Sequence, residues 1–494
     1  MANTSDERSA EVELSKFGYG QEFKRTFHRF ALFAIGFSFI SITTGIFTTY
    51  GSVLSSSGPL GIWTWPIVVV GQLMVALVFG LLASRMPLAG YAYQWMSRLA
   101  NPYIGWIIGW FVFAFLVVDV VAVDYSLAQT VLPALFSYTS TVANAGIAAG
   151  IIVAVQALTI MFSTVITQKV NNAAVATEII GIGGLTLVLL IVGAARGMLH
   201  WGHVFSRAGV SAAGYFSLGT LTHDGPWLLA FLLGSFTIVG FEAAGNLAEE
   251  TKNPDQVVPR AMWSSVLLSG VLGFVFLVVI SAATSNFKTL ETSSTPVATI
   301  VITVLGPVVG KIFLVLVLFS IFACGLVIFV TVSRVTWAMS RDQRFPGYKT
   351  LRGVNRKYDS PLPATIVVGL LIEVVLAAFA LRTNALFDLF SAAALMPAII
   401  YLVTVILYLI ARRHLPPSRF HLGKFEIPVA ILALVWLVFE MSIFRDSSFA
   451  TPWEYAGVMV AIGLVYFIYL IASKRHLDMP GTEVIPLESP SPER

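Results

Sequence analysis

The chain has 494 residues, of which 57% are hydrophobic and only 11% are charged. Soluble globular proteins carry about 25% charged residues, so this composition excludes a soluble protein and predicts a chain embedded mostly in lipid. The single cysteine, Cys324, excludes intramolecular disulfide bonds and cysteine-based metal clusters. The first thirty residues are polar and lack an apolar core, so we expect no cleaved secretory signal peptide.

The seven histidines fall in segments that we expect to be loops or helix ends. His200, His203 and His223 could together hold a surface metal, although a solvated extracellular loop is the simpler interpretation. A membrane enzyme would need a constellation such as histidine with aspartate or serine at fixed spacing. We therefore expect no metal, no cofactor and no enzymatic activity.

Apolar stretches of about 20 residues, the length that a helix needs to cross the hydrocarbon, can be placed twelve times. The expected spans are 30–55, 62–86, 104–133, 143–166, 171–196, 226–249, 260–285, 308–338, 361–381, 386–411, 425–444 and 453–473.

The positive charges predict the orientation of these spans. With the N-terminus inside, about 24 of the 30 lysine and arginine residues lie on the cytoplasmic side, in agreement with the positive-inside rule. The six expected outside are Arg196, Arg207, Lys288, Lys311, Arg382 and Arg445. We therefore predict a multi-pass protein of the cytoplasmic (cell) membrane with both termini in the cytoplasm.

The first and sixth spans resemble each other. Span 1 contains GFSFISITTGIF (36–47) and span 6 contains GSFTIVGFEAAG (234–245). Each has a Ser-Phe pair, then hydroxyl or glycine residues, then a glycine before a hydrophobic residue. Five is an odd number of spans, so a second five-span copy would be inverted. An inverted repeat with an interrupted first helix in each half is typical of secondary transporters.

Gly45 and Gly240 mark the two expected interruptions, because glycine adopts backbone angles that other residues resist. Unpaired backbone groups in lipid cost several kcal/mol each, so a broken helix persists only around a protein-lined cavity. The freed N–H groups suit an anion, and the freed carbonyls suit an ammonium group. An amino acid carries both charges. The alternative is a pair of glycines at ordinary helix–helix contacts.

Several carboxylates are expected inside the membrane, where a charge costs at least about 2.5–3.5 kcal/mol and proton binding removes part of that cost. Asp119 is expected to be a counter-charge for an amine or a proton site, and Glu178 and Glu242 to be proton sites. The structural alternatives are an interhelical hydrogen bond for Asp119, an ion pair with a cytoplasmic base for Glu178 and a helix cap for Glu242. The weaker candidates are Asp124, the peripheral Glu373 and Glu440, and the capping Asp388.

Four stretches resemble bacterial permeases of the amino acid–polyamine–organocation superfamily. The similarity is greatest to the amino acid/choline transporter group, which includes GABA and choline permeases. The stretches are SITTGIF (41–47), GIWTWPIVVVGQLMVALVFGLLASRMPLAGYAYQW (61–95), GFEAAGNLAEETKNPDQVVPRA (240–261) and SRDQRFP (340–346). The third is the most specific, and the resemblance covers roughly residues 25–475.

This resemblance implies an all-α integral membrane protein with 12 transmembrane helices. They would form a leucine-transporter-type 5+5 inverted repeat with broken helices 1 and 6, plus two C-terminal helices. It implies alternating access, with the substrate carboxylate on backbone N–H groups between Ser41 and Gly45. The carbonyls from Phe236 to Val239 would accept the substrate amine, and the Phe236 ring would cover the substrate.

The expected organisation follows from these repeats. It comprises a cytoplasmic tail (1–28), a first repeat (29–196), an extracellular loop (197–225), a second repeat (226–411), helices 11 and 12 (412–473) and a second cytoplasmic tail (474–494).

Two positions depart from the family pattern. Many members read Gly-Ser-Gly where this chain reads Thr43-Thr44-Gly45, and a β-branched threonine is stiffer than glycine. Several relatives place a lysine six residues after an Asn pair, where this chain has Glu178. Coupling through a lysine therefore does not carry over, but a glutamate can itself accept and release a proton.

We therefore predict a secondary active transporter that imports a small amino acid or related amine with a proton as coupling ion. The alternatives are a transporter of a cationic amine (choline, ethanolamine or polyamine) or of GABA, and an amino acid exchanger. Its partners would be substrate, proton and lipid bilayer, and no nucleic acid. The expected substrate-binding residues are Ser41, Thr43, Thr44, Gly45, Asp119, Phe236, Thr237, Val239 and Gly240. The proton-coupling candidates are Glu178, Glu242 and Asp119.

Overall fold

The computed structural model describes residues 14–15, 17–20, 25–136, 139–162, 164–284, 286–287, 290, 293, 295–355, 360–379 and 385–473. The C-terminal tail 474–494 and most of the N-terminal tail lie outside these residues, as do Lys288 and Arg382 of the six predicted outer charges. Within the described residues the chain is helical, and the β-structure consists of two isolated bridges.

The described helices of the first half begin and end as follows. They are α1 (Arg29–Ile40), α2 (Ile42–Ser57), α3 (Trp65–Arg85), α4 (Tyr91–Leu99), α5 (Pro102–Ser126), α6 (Leu132–Phe136), α7 (Val142–Phe162) and α8 (Thr164–Ala195).

The second half continues the same all-helical pattern. Its described helices are α9 (Pro226–Leu229), α10 (Phe231–Thr237), α11 (Ala243–Asn246), α12 (Pro254–Ala282), α13 (Pro296–Leu305), α14 (Pro307–Arg341), α15 (Tyr348–Leu351), α16 (Leu362–Phe379), α17 (Ala385–Ala411), α18 (Glu426–Ile443) and α19 (Ala450–Ala472).

Eleven helical stretches of the described residues are long and apolar enough to cross a membrane, and they coincide with eleven of the twelve predicted spans. The prediction of an all-helical, multi-pass membrane protein is confirmed. The remaining span, expected at 226–249, is divided into the short helices α9, α10 and α11. Helix α13 was not expected, because its residues fall between two predicted spans.

The first and third spans form the centre of the molecule. In each of these spans, 89% of the most apolar stretch is buried, compared with 17% in the last span. Helix α5 is buried on every side over its second half, as expected of a helix surrounded by others. The last span leaves most of its apolar surface exposed, as expected of a helix that faces lipid.

A glycine sets the distance between α3 and α18. A Cβ atom placed on Gly71 would lie 2.0 Å from Cδ2 of Trp436, so any larger residue would meet the indole ring. Small residues at such crossings let membrane helices approach closely. This contact positions α18 beside the interrupted segment, because Trp436 and Phe439 also pack on Phe231 of α10.

We expect Gly71→Ala to lower the thermal unfolding midpoint of the detergent-purified protein, because overpacking typically costs about 1–3 kcal/mol. Gly457→Ala is the matched control: Gly457 lies in α19, and no atom lies within 4 Å of its Cβ position. There, alanine should be neutral or stabilising. Equal midpoints for the two variants would contradict the packing argument.

Candidate functional site

The first interruption lies at Ser41, between α1 and α2. Its backbone angles, φ 32° and ψ 94°, are not helical. The Ser41 hydroxyl oxygen accepts hydrogen bonds from Thr44 N (3.3 Å) and Thr44 Oγ1 (2.8 Å). A serine side chain that accepts from the third residue onward is a typical helix N-cap. Ser41 therefore ends one helix and starts the next. The expectation that Gly45 marks this interruption was wrong, because Gly45 lies within α2.

Glu178 of α8 binds at this interruption. Its Oε1 atom accepts hydrogen bonds from Thr43 N (3.2 Å), Thr43 Oγ1 (3.1 Å) and Ser41 Oγ (3.2 Å). The carboxylate thus lies at the N-terminal end of α2, where the helix dipole favours negative charge. The predicted alternative for Glu178, an ion pair with a cytoplasmic base, is not what these contacts show.

The N–H groups of residues 43 to 45, which were among those expected to bind a substrate carboxylate, have partners within the protein. Thr43 N donates to Glu178, Thr44 N donates to the Ser41 side chain, and Gly45 N donates to the Ser41 carbonyl at 3.1 Å. In this conformation the first interruption offers a ligand no unengaged N–H group from these three residues.

The second interruption runs from Ile238 to Glu242, between α10 and α11. Gly240 has φ 79°, a left-handed conformation that favours glycine. Its N–H donates to Tyr401 Oη at 3.1 Å, and Tyr401 Oη donates to Glu242 Oε2 at 2.6 Å. Tyr401 of α17 therefore ties the interruption to Glu242. The sequence analysis did not select Tyr401, although a tyrosine in the middle of an apolar span is a detectable signal.

The two interruptions touch each other. A Cβ atom on Gly45 would lie 1.9 Å from Thr237 Oγ1, and one on Gly240 would lie 1.7 Å from Cδ1 of Phe39. Side-chain Cβ atoms cannot approach so closely, so only glycine permits this packing. The predicted pairing of the two glycine-containing segments thus corresponds to a physical contact.

A small cavity lies where these segments meet. Of the predicted substrate-binding residues, the cavity is lined by Thr44, Gly45, Asp119, Phe236, Thr237 and Val239. Ser41 and Thr43 instead contact Glu178, and Gly240 contacts Tyr401. Residues that the sequence analysis did not select also line it: Phe39, Ile40, Val123, Cys324 and Ile328.

The hydroxyl and thiol groups that line this cavity donate their hydrogens to the protein. Thr44 donates to Ser41, Thr237 donates to the Leu233 carbonyl at 2.6 Å, and Cys324 donates to the Phe39 carbonyl at 3.3 Å. Each of these groups is therefore left as an acceptor toward a ligand.

Several residues that line this cavity have oxygen atoms that accept no hydrogen bond from the residues that the structure describes. Asp119 is 2% exposed, and in the described part of the chain it forms no hydrogen bond and no ion pair. The carbonyl oxygens from Phe236 to Val239 also accept no hydrogen bond from any described residue. Buried polar groups normally have partners, so this cavity is complementary to a donor.

The other predicted carboxylates lie elsewhere. Asp124 accepts a hydrogen bond from Gln156 Nε2 at 2.8 Å, as a structural aspartate would. Glu440, which the sequence analysis placed at the periphery, is 1% exposed and accepts from Gln72. That expectation was wrong, because α18 turns this residue toward α3 and away from lipid.

The histidines make ordinary loop contacts. His203 Nδ1 lies 2.8 Å from the Thr284 carbonyl, and His223 Nδ1 lies 3.2 Å from Ser447 Oγ. Within the residues that the structure describes, no group of three or more His, Cys, Asp or Glu side chains is arranged to hold a metal ion.

The two ends of the site differ. Near Ser52 and Leu229 lies a wider cavity. At the opposite end, ion pairs join the segment after α11 to α14: Glu250 to Arg334 at 2.8 Å and Glu249 to Arg341 at 3.0 Å. The second end is thus held closed by paired charges.

We expect Glu178→Ala to lower the thermal unfolding midpoint, because it leaves the buried Thr43 N–H group and two hydroxyls without their acceptor. An unsatisfied buried donor costs about 1–3 kcal/mol. Glu454→Ala, at an exposed position of α19, is the control and should change the midpoint little. A Glu178→Ala protein as stable as the control would contradict the described contacts.

Comparison with known proteins agrees with this arrangement. The family model described as amino acid permease matches residues 27–473. Amino-acid permease BAT1 of Arabidopsis thaliana is 27% identical over 95% of each chain. The GABA-specific permease of Saccharomyces cerevisiae is 27% identical over 95% of this chain and 86% of its own. These relatives are transporters and not enzymes. The chain therefore belongs to the amino acid permease family, within the amino acid–polyamine–organocation superfamily.

Proposed function

We propose that this protein imports a small amino acid or related amine across the cell membrane by alternating access, coupled to a proton. The observation that carries the proposal is the cavity between the two interruptions, which is lined by Asp119, Phe236, Thr237 and Val239. Asp119 and the carbonyls of residues 236–239 accept no hydrogen bond from the described residues. An ammonium group supplies several N–H donors and a positive charge. It therefore satisfies the carbonyls and the carboxylate together.

The aromatic side chains support an amine as well. Phe39 and Phe236 line the cavity, and the Phe236 ring lies 5.6 Å from that of Phe390. Aromatic faces attract cations, with about 0.5–2 kcal/mol per contact. Phe236 accordingly keeps its predicted role as the ring that covers the substrate.

The second candidate function is transport of a cationic amine or of GABA. The observation that favours it is the occupied first interruption, where Glu178 and Ser41 engage the N–H groups that an α-carboxylate would need. A substrate without a carboxylate does not need those groups. GABA, the substrate named for the yeast relative, separates its carboxylate from its amine by a longer chain.

The finer architecture belongs to the same proposal. We count α9 to α11 as one span, interrupted at residues 238–242. It is the sixth in chain order and brings the total to twelve. We pair it with the interrupted α1–α2 span as the first helices of two inverted repeats. The ion-paired end would then be cytoplasmic and the wider cavity extracellular, with both termini inside. A carrier that is closed at one end and accessible at the other is one state of an alternating-access cycle.

Proton coupling follows from the energetics. One positive charge moving down 100 mV gains about 2.3 kcal/mol, and a zwitterion gains nothing from the potential unless an ion accompanies it. Asp119, Glu178 and Glu242 are each at most 2% exposed, so each is a candidate to carry the proton. The direct test is uptake into proteoliposomes, which a pH gradient, acid outside, should accelerate. Equal uptake without a gradient would contradict proton coupling.

We expect Gly45→Val and Gly240→Val to abolish uptake, because each side chain would enter the contact between the interruptions. Gly183→Val is the matched control: Gly183 lies in α8, and no atom lies within 4 Å of its Cβ position. Monodisperse protein in size-exclusion chromatography would establish that the variants are folded. Normal uptake by both site variants would contradict the assigned site.

We expect Asp119→Asn to remove stabilisation by amines, since a ligand that binds only the folded state raises the unfolding midpoint. The measurement is a thermal-shift screen with amino acids, GABA, choline, ethanolamine and polyamines. Stabilisation by zwitterions supports the first candidate, and stabilisation by choline or polyamines alone supports the second. An unchanged ligand response in Asp119→Asn would exclude Asp119 as the counter-charge.

A further inference from the structure

Glu440 forms a second polar site in the membrane, separate from the substrate cavity. It lies in α18, outside the two proposed repeats, and both of its carboxyl oxygens accept from Gln72 Nε2, at 3.1 and 3.2 Å. The Ser235 hydroxyl of α10 lies beside the same carboxyl without reaching hydrogen-bond geometry. Glu440, Gln72 and Ser235 are each 1% exposed. A carboxyl and its two partners are therefore enclosed between three helices.

The partners of Glu440 can serve it in both protonation states. The Gln72 amide donates to an ionised carboxylate in the described conformation, and its Oε1 atom has no hydrogen-bond partner among the described residues. Rotation of the amide by half a turn would present that oxygen to the O–H group of a protonated Glu440. The Ser235 hydroxyl, which also has no partner in the described part of the chain, can donate in one state and accept in the other.

No other charged group competes for Glu440. The relevant segments are α18 itself, residues 423–425 just before it, and the neighbouring helices α3 and α17. Apart from Glu440, their titratable or charged side chains are Glu426, Lys424, Arg85, Asp388, Tyr401 and Tyr408. Arg85 pairs with Glu426 at 3.3 Å, Tyr408 donates to Glu426, and Tyr401 donates to Glu242. In the described residues none of them forms a hydrogen bond or ion pair with Glu440.

The site is mechanically connected to the substrate cavity through α10. Ser235 immediately precedes Phe236, and successive residues of a helix point about 100° apart. One turn of α10 therefore presents Phe236 to the cavity and Ser235 to Glu440. A second contact joins α10 to α18, because the ring of Phe231 lies 5.1 Å from that of Phe439.

We propose that Glu440, Gln72 and Ser235 form a proton-binding site that controls the position of α10 and thereby of Phe236. The inference rests on the proposed transport function. Glu440 takes up a proton from water on one side of the membrane and returns it to water on the other. Protonation exchanges an acceptor for a donor, so Gln72 and Ser235 change their hydrogen bonds to it. Glu440 is thus a positioning residue that acts on the substrate through α10.

The test compares Glu440→Gln with the wild type in proteoliposomes, with substrate exchange and net uptake measured separately. We expect Glu440→Gln to retain exchange and ligand stabilisation, while the dependence of net uptake on the pH gradient becomes weaker than in the wild type. Glu373→Gln, which neutralises a partly exposed carboxyl of α16, is the matched control and should keep the wild-type dependence. The swap Gln72→Glu with Glu440→Gln returns a carboxyl to the site and should restore part of the pH response.

The outcomes separate this proposal from the transport function. A wild type that transports with a pH response, together with Glu440→Gln that responds equally, would overturn the proton site alone. A wild type that transports nothing would overturn the proposed function and this site with it. If Glu440→Gln does not fold, Ser235→Ala keeps the carboxyl and removes only the hydroxyl that α10 presents to it. A wild-type pH response in Ser235→Ala would then overturn the proposal.

Discussion

The close approach of the two interrupted helices is the constraint on which the rest of the site depends. Gly45 lies against Thr237, and Gly240 lies against Phe39, at distances that no Cβ atom could occupy. Backbone groups freed by an interruption cannot face lipid without a cost of several kcal/mol each. The contact keeps the two interruptions inside the protein, where Glu178 accepts from Thr43 N and Tyr401 accepts from Gly240 N. Central burial of α1, α2 and α5 keeps lipid away from them.

The residues around the cavity offer a ligand hydrogen-bond acceptors, whereas the N–H donors of residues 43 and 44 are already engaged. On the side of the first interruption, Ser41 and Glu178 engage the N–H groups of residues 43 and 44. On the other side, the carbonyls of residues 236–239 accept no hydrogen bond from the described residues, and Phe236, Thr237 and Val239 line the same cavity as Asp119. Such an arrangement selects for a ligand that donates hydrogen bonds and carries positive charge. It explains chemically why an amine, with or without a carboxylate, suits a member of this family.

The sequence predicted the features that have local signals and missed those that depend on distant partners. A glycine within an apolar stretch located the second interruption at Gly240, whereas the first lies at Ser41, about one helical turn before the expected Gly45. Asp119 was expected at mid-membrane depth and lines the cavity. The contact of Glu178 with Ser41 joins residues 137 positions apart, and periodicity does not reveal the rotation of α8 that makes it. Glu440 was underestimated for the same reason, because its partner Gln72 is 368 residues away. Tyr401, which accepts from the N–H group of Gly240 at the second interruption, was missed for the same reason, because it lies 161 residues away.

Occupancy of the cavity between the two interruptions by substrate can be measured with a residue of the protein itself. Cys324 is the only cysteine of the chain, and it lines the cavity. The measurement is the rate at which a small cationic thiol reagent modifies Cys324, followed by mass spectrometry, with a Cys324→Ser protein as the blank. A ligand that raises the unfolding midpoint should also slow the modification of Cys324, in proportion to its occupancy of the cavity. An unchanged rate at saturating ligand would contradict it.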